Sequence, residues 1–369
     1  RTIFGSRFDQ QWYRDWNGRR VQWGVGAELQ FHSIDNGLFR TQAGEIRPDA
    51  AGVIREDSVD QWIGGIYADA EVRWSGWFRT IVGLRGDYVD VDVKSDRVEN
   101  SGTRNDSIVS PKLSLIFGPW SKTELYLNYG QGFHSNDARG MVTTIDPISL
   151  DPVAPADPLV RTRTADLGVR TTVVEGLQST LSFFWIELGS ELVFVGDAGT
   201  TEPGPPSRRV GVEWANFYRL KPWLSLDLDV TYTDAEFIDV PAGEESIPGA
   251  LEETVAAGIA LGRDTGWFGA VRWRYFGTFP LTEDNSVRGS ATSLVNGRLG
   301  YGFGNGLRIV LDGFNLLERE DADIQYYYAS RLPGSVSPSG DTEPVEGVED
   351  VHFHPMESRT FRLWVEYSF

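Results

Sequence analysis

His352 and His354 stand two residues apart, so in an extended strand both imidazoles fall on one face and hold a metal only if further ligands join them. No third ligand follows from the spacing, and no metal site is assigned. A second group is denser. His134, Asn136, Asp137 and Arg139 place an imidazole, a carboxamide, a carboxylate and a guanidinium within six residues at the outer end of a strand. Such a set suits contact with a small polar ligand, and equally suits hydrogen bonds that close a loop. Asp227 and Asp229 share a face as an acid–base pair would, but their strand also reads as a solvated wall. Gly297, Gly300, Gly302, Gly304 and Gly306 lack the βαβ context of a phosphate-cradling loop and read as a strand pair around a turn. Arg85-Gly86-Asp87 lies inside a strand, where alternation sends both charged side chains to one face. There is no Gly-x-Ser-x-Gly elbow, no His-Glu-x-x-His and no zinc spacing, so the sequence assigns no catalytic residue and no cofactor, and the expectation is a protein that is not an enzyme.

The elements carrying these groups are strands. At the C-terminus Phe361, Leu363, Val365, Tyr367 and Phe369 alternate with Arg362, Trp364, Glu366 and Ser368. Leu224, Leu226, Leu228, Val230 and Tyr232 alternate with Ser225, Asp227, Asp229, Thr231 and Thr233. Trp267, Val271, Trp273 and Tyr275 alternate with Arg272 and Arg274, and Leu125, Leu127 and Tyr129 with Glu124, Tyr126 and Asn128. One face is apolar, the other wet. Residues 53–74 and 77–96 form runs of about twenty residues, longer than the ~9–11 that cross a bilayer, so they should project beyond it. A soluble sandwich uses strands of roughly five or six.

Connections alternate between short and long. Short ones fall at Trp16-Asn17-Gly18, Trp74-Ser75-Gly76-Trp77, Gly118-Pro119-Trp120, Glu175-Gly176, Lys221-Pro222-Trp223, Thr265-Gly266-Trp267 and Gly304-Asn305-Gly306. Long ones cover about 35–52, 97–104, 135–157, 197–208, 238–249, 281–288 and 332–350. Short periplasmic turns opposite long extracellular loops are the arrangement of an outer-membrane barrel, and Trp at the short turns suits the aromatic girdle. Counting back from Phe369 gives about fifteen strands; the first, near 2–13, then begins outside the cell, and the expectation is that the start of the barrel is missing.

Composition agrees. The 369 residues include 13 Trp, 13 Tyr, 20 Phe and 41 Gly with no Cys, which suits many strands joined by tight turns and one domain, 1–369. No run reaches the ~18 apolar residues of a membrane-spanning helix, which leaves a spanning barrel open. The net charge of -19 excludes a nucleic-acid partner, since no basic stripe is present to displace counterions.

Three segments resemble the TonB-dependent receptor family. Tyr129-Gly130-Gln131-Gly132-Phe133-His134-Ser135-Asn136-Asp137-Ala138-Arg139-Gly140 looks like its strand-to-loop segment. Phe314-Asn315-Leu316-Leu317-Glu318-Arg319 looks like an element of its penultimate strand. The ending resembles it most, with Tyr328-Ala329-Ser330-Arg331-Leu332-Pro333-Gly334 and His352-Phe353-His354-Pro355 leading to Phe369. The resemblance implies an all-β, antiparallel, up-and-down transmembrane barrel of 22 strands, of which this chain is the C-terminal portion, with the plug absent. It also implies partners: TonB and its inner-membrane motor acting through the plug, the outer-membrane insertion machinery, outer-membrane lipid, and a small-molecule nutrient.

The function expected is energy-coupled uptake of a scarce nutrient across the outer membrane of a Gram-negative bacterium, with a ferric siderophore or similar metal chelate as the family's commonest ligand. A passive porin is the alternative; an outer-membrane enzyme or adhesin is a third. The expected ligand contacts are His134, Asn136, Asp137 and Arg139. Phe361, Leu363, Val365, Tyr367 and Phe369 are the expected lipid-facing assembly signal, and Leu226 and Val271 are expected on the same lipid face.

Overall fold

The computed structural model describes the chain except for residues 43, 49–51, 148, 196–199, 264, 331–346 and 369. Fifteen strands form one sheet: β1 (Thr2–Trp16), β2 (Arg19–Phe39), β3 (Val53–Arg73), β4 (Phe78–Ser95), β5 (Gly102–Trp120), β6 (Thr123–Ser135), β7 (Leu159–Thr171), β8 (Leu177–Leu188), β9 (Ser207–Lys221), β10 (Leu224–Phe237), β11 (Glu253–Gly262), β12 (Gly266–Phe276), β13 (Thr292–Gly302), β14 (Leu307–Phe314) and β15 (Thr360–Tyr367). Each pairs antiparallel with the next, so sequence neighbours are spatial neighbours throughout, and β1 and β15 are the edges. Nothing in this order requires a second layer.

Register joins the separate alternations into two continuous faces, because directly opposed residues point the same way. Leu226 lies opposite Ile259, Ile259 opposite Val271, Val271 opposite Gly297, Gly297 opposite Gly313 and Gly313 opposite Phe361. Leu363 and Val365 continue that apolar face with Leu311 and Ile309. One residue over, Asp227, Gly258, Arg272 and Asn296 form a row of the polar face. A one-residue slip anywhere would put charges among the leucines, so the hydrophobic pattern fixes the pairing. The turn chemistry agrees with it: Asn17 and Gly18 both take positive φ, 49° and 76°, as a two-residue hairpin between right-twisted strands requires.

The two faces exchange polarity along β4. From Phe78 to Leu84 the apolar Phe78, Val82 and Leu84 sit at even positions, with Ile81 the exception at an odd one, whereas beyond Tyr88 the even positions are Asp90, Asp92 and Lys94 and the odd ones Val89, Val91 and Val93. An exchange of this kind marks where the strand leaves an apolar medium. From Phe78 to Tyr88 the chain advances ten residues, about 33 Å along the strand, or about 25 Å in height at a tilt of roughly 40°, the height of an outer-membrane apolar band. Aromatic rings bound the band at both ends. Trp77 and Trp120 (6.2 Å between centroids) and Phe78 and Phe117 (5.0 Å) stack at the short-turn end, and Phe31 meets Trp62 at 4.7 Å at the other. β3 and β4, 21 and 18 residues long, project well past it.

Several connections differ from expectation. The loop expected at 97–104 closes sooner, because a short 3-10 turn at Val98–Asn100 lets β5 begin at Gly102. The strand β2 runs on to Phe39, shortening the loop expected from 35. Asn315 leaves the sheet with φ 46°, so the segment that resembles part of a penultimate strand lies just after β14. There it acts as a clasp: Asn315 Nδ2 donates to Arg319 O (2.9 Å) and Glu357 O (3.1 Å), while Asn315 Oδ1 accepts from Arg319 N (2.9 Å). The connection from β14 to β15 contains a hairpin, Ala322–Ser330 against Val348–Pro355, and most of the loop expected at 332–350 lies outside the described residues. Phe369 also lies outside them; Phe361, Leu363, Val365 and Tyr367 share the apolar face.

Candidate functional site

Above the band, the odd positions of β3 and β4 supply Val59, Val89, Val91 and Val93, an apolar patch on what is lower down the polar face. Residues 136–158 cover that patch by folding inward: Ala138, Met141 and Val142 pack on it, and Met141 and Val91 are both 0 % exposed. The loop is thereby part of the wall. Its root is closed by Asn136, whose N–H donates to Pro158 O (3.2 Å) and whose Nδ2 donates to Asp157 O (2.7 Å). Its far side is held by Asn100, whose Oδ1 accepts from Thr144 N and Ile145 N, both at 3.0 Å, while Nδ2 donates to Ile145 O at 2.8 Å.

A charged side chain of β3 reaches the loop, and a second ion pair lies within the loop itself. Arg55 pairs with the buried Asp57 and donates to Thr143 Oγ1 at 3.1 Å. Asp137 accepts three bonds from Arg139: the backbone N–H at 2.8 Å, Nε at 2.9 Å and Nη2 at 2.7 Å. Burial pushes the Asp137 carboxyl up, but the Arg139 guanidinium and backbone N–H outweigh it and hold the group below its ordinary value. Glu191, in the next long loop, balances in the same way: burial raises it, and bidentate Arg209 (2.8 and 2.9 Å) with the Ser207 hydroxyl brings it below normal. His134 Nε2, Asn136 Oδ1, Asp57 Oδ1 and Ser110 Oγ are buried without a hydrogen-bond partner among the described residues. Buried polar atoms of this kind take partners from water or ligand.

Of the four residues singled out in sequence, Asn136 closes the loop and Asp137 and Arg139 pair with each other yet stay partly open to solvent, while His134, at the end of β6, has Glu191 as its charged neighbour. Arg55, Asp57, Asn100, Glu191 and Arg209 were not singled out. Opposite charges two apart at a strand end, as in Arg55 and Asp57, are a usable signal; Asn100 carries none, because its partners lie 44 and 45 residues on.

Lower down, the polar face is laced by ion pairs: Arg85 with Glu28 and Asp87, Arg79 with Glu124 (3.3 Å), and Arg298 with Asp312 (2.6 Å). Asp227 meets Arg272 at 3.3 Å across the side-chain-free Gly258, so it belongs to the charged wall and not to an acid–base pair. Large rings on this face lie flat. Tyr67, Tyr126, Phe184 and Phe268 each cover the directly opposed glycine, Gly26, Gly168, Gly211 and Gly300. A Cβ at these glycines would fall 2.2, 2.3, 2.4 and 2.3 Å from the ring, so any side chain there would lift the ring off the wall. These four rings therefore lie along the wall and do not project from it.

The two histidines of the last hairpin are engaged locally. His352 stacks on Tyr328 (3.8 Å between centroids) with Nε2 2.7 Å from Ser330 Oγ, and His354 lies 3.9 Å from Asp323. Among the described residues no three His, Cys, Asp or Glu side chains are grouped to hold a metal.

Residues 2–316 match the family model described as TonB dependent receptor-like, beta-barrel. Among solved structures, the chain is similar to the ferric-catecholate import receptor Fiu from E. coli K12 in its closed form, with a TM-score of 0.72 at 14% identity, covering 100% of this chain and 54% of that one. The unliganded ferric citrate transporter FecA gives 0.71 at 13% identity (98% and 53% covered), and the copper transporter OprC 0.68 at 17% (100% and 56%). The chain therefore spans about half the length of the structures it resembles. Comparison with curated proteins gives no match.

Proposed function

The chain belongs to the TonB-dependent receptor family of Gram-negative outer-membrane β-barrels, which are transporters and not enzymes, and from that premise we propose that its parent protein imports a scarce nutrient by energy-coupled transport. The observation that carries this is the wall itself: one continuous sheet, apolar on the face that meets lipid, and on the other face charged, kept clear of projecting rings and roofed in part by a fixed inward loop. A clear, charged bore suits a large polar solute or a removable insert. In this proposal residues 1–369 are the C-terminal part of the barrel. A plug and the first strands come from further sequence, and the inner-membrane motor acts through TonB on that plug.

The nutrient proposed is a ferric siderophore or similar metal chelate, supported by the ferric-catecholate, ferric citrate and copper transporters among the similar folds. Asp137 and Arg139, partly exposed at the edge of the loop, are the proposed ligand contacts, with His134 and Asn136 behind them. Phe361, Leu363, Val365 and Tyr367, with Phe369, are the proposed signal read by the insertion machinery. Uptake of a panel of radio-iron chelates by cells expressing the intact receptor tests the proposal. The expected result is saturable uptake of at least one chelate that stops when the motor is removed and weakens when Asp137 and Arg139 are both replaced by Ala. Uptake at full rate without the motor would instead make the protein a passive porin.

A further inference from the structure

Near the short-turn end, the apolar face is not smooth. Trp267, Tyr301 and Phe303 build a rigid aromatic wall, edge to face at 5.2 Å for the first pair and 4.8 Å for the second. Leu299, Leu311 and Leu363, opposed in a row across β13, β14 and β15, form the floor beside it. Wall and floor border an open groove of about 520 Å³. Register places Trp267, Leu299, Tyr301, Leu311 and Leu363 on the face of Leu226 and Val271, Phe303 just past the end of β13 lines the same groove, and Leu299 lies opposite Gly269, where a side chain would narrow it.

We infer that this groove is a specific phospholipid site, holding one acyl chain of the leaflet at the short-turn end. The occupant follows from continuity: the groove lies within the apolar band that hydrocarbon covers, beside the aromatic ring level that marks the band's edge. Just beyond that level, the turn joining β11 to β12 carries the exposed Arg263, a cation suited to a lipid phosphate. Flat stretches of the band make transient contacts with lipid, whereas an apolar floor of leucines beside a rigid aromatic wall keeps a chain ordered. The inference rests on the membrane placement of the sheet and not on transport, so a receptor that imports nothing can still bear it out.

Native mass spectrometry of the intact receptor tests it. The protein is reconstituted with palmitoyl-oleoyl phosphatidylethanolamine and phosphatidylglycerol, then extracted in dodecyl maltoside. The wild type should retain one phospholipid, and Leu311→Trp, which fills the groove, should lower that occupancy roughly tenfold. Leu113→Trp makes the same exchange elsewhere on the apolar face and should retain lipid as the wild type does. Leu299→Trp is a second filling variant should the first fail to fold, judged by heat-modifiable migration, and Arg263→Gln should lower phosphatidylglycerol retention more than phosphatidylethanolamine. A wild type stripped of lipid as readily as the filled variants, or holding a protein partner on this face instead, would overturn the inference.

Discussion

Met141→Ala should loosen the inward loop without loosening the barrel. Met141 is fully buried against Val59, Val89, Val91 and Val93, and truncating such a side chain to Ala costs about 2–5 kcal/mol. The loop backbone can settle partly into the space left, so the lower part of that range applies, about 2–3 kcal/mol. At about 1.4 kcal/mol per factor of ten, local opening should become roughly 30- to 150-fold more frequent. The amides to follow are those whose bonds the loop itself makes: Met141 N to Asp137 O (3.2 Å), Thr143 N to Arg139 O (3.0 Å), and Thr144 and Ile145 N to Asn100 Oδ1. Hydrogen–deuterium exchange on the intact receptor in nanodiscs should show them accelerating while the β4 ladder, paired on both sides, keeps its protection. Unchanged exchange in the loop, or acceleration shared equally by β4, would refute the idea of a separately anchored loop.

Replacing Gly168 by Ala should push the Tyr126 ring off the wall into the bore, slowing uptake while ligand affinity and heat-modifiable migration stay unchanged; normal uptake would mean the ring has room to move aside within the wall. Asn315→Ala strips partners from Arg319 N, Arg319 O and Glu357 O and should lower stability in urea unfolding by about 2–3 kcal/mol, with no loss if water replaces the carboxamide. Asp137 is held below its ordinary value in the folded protein, so its contribution to anchoring the loop is complete above about pH 4 and fades as pH falls through the lower folded value. Loop exchange, corrected for intrinsic rate, should therefore rise only on acidification, and a rise toward alkaline pH would contradict the sign.

Much of the sheet was legible because strand alternation is local: Leu226, Val271, Leu363 and Val365 declare their face from their own neighbours, and Trp at the short turns declares the end of the band. The exchange of faces above Tyr88 was also written in the sequence, as Val89, Val91 and Val93 between Asp90, Asp92 and Lys94, although it reads there only as more strand. Its meaning depends on a partner, Met141, about fifty residues away, and long-range packing leaves no periodic trace. The same holds for the flat rings, since the glycine beneath Tyr67 belongs to another strand and only register joins them. The group at His134 to Arg139 was found from residue types alone, but whether each side chain meets ligand or closes the loop is decided by Asp157, Pro158 and Thr143, which spacing does not reveal.

The claim on which the rest depends is that the sheet has one face in lipid and the other in water, and adjacent residues test it directly. Nitroxide labels placed singly at Leu226, Val271, Leu363 and Val365, and at their neighbours Asp227, Arg272, Arg362 and Glu366, can be read by paramagnetic relaxation in the reconstituted intact receptor. Oxygen, concentrated in hydrocarbon, should relax the first four labels, and a water-soluble nickel chelate should relax the second four. Nickel accessibility at most of the first set, or no alternation between the sets, would contradict the placement of this wall in a membrane.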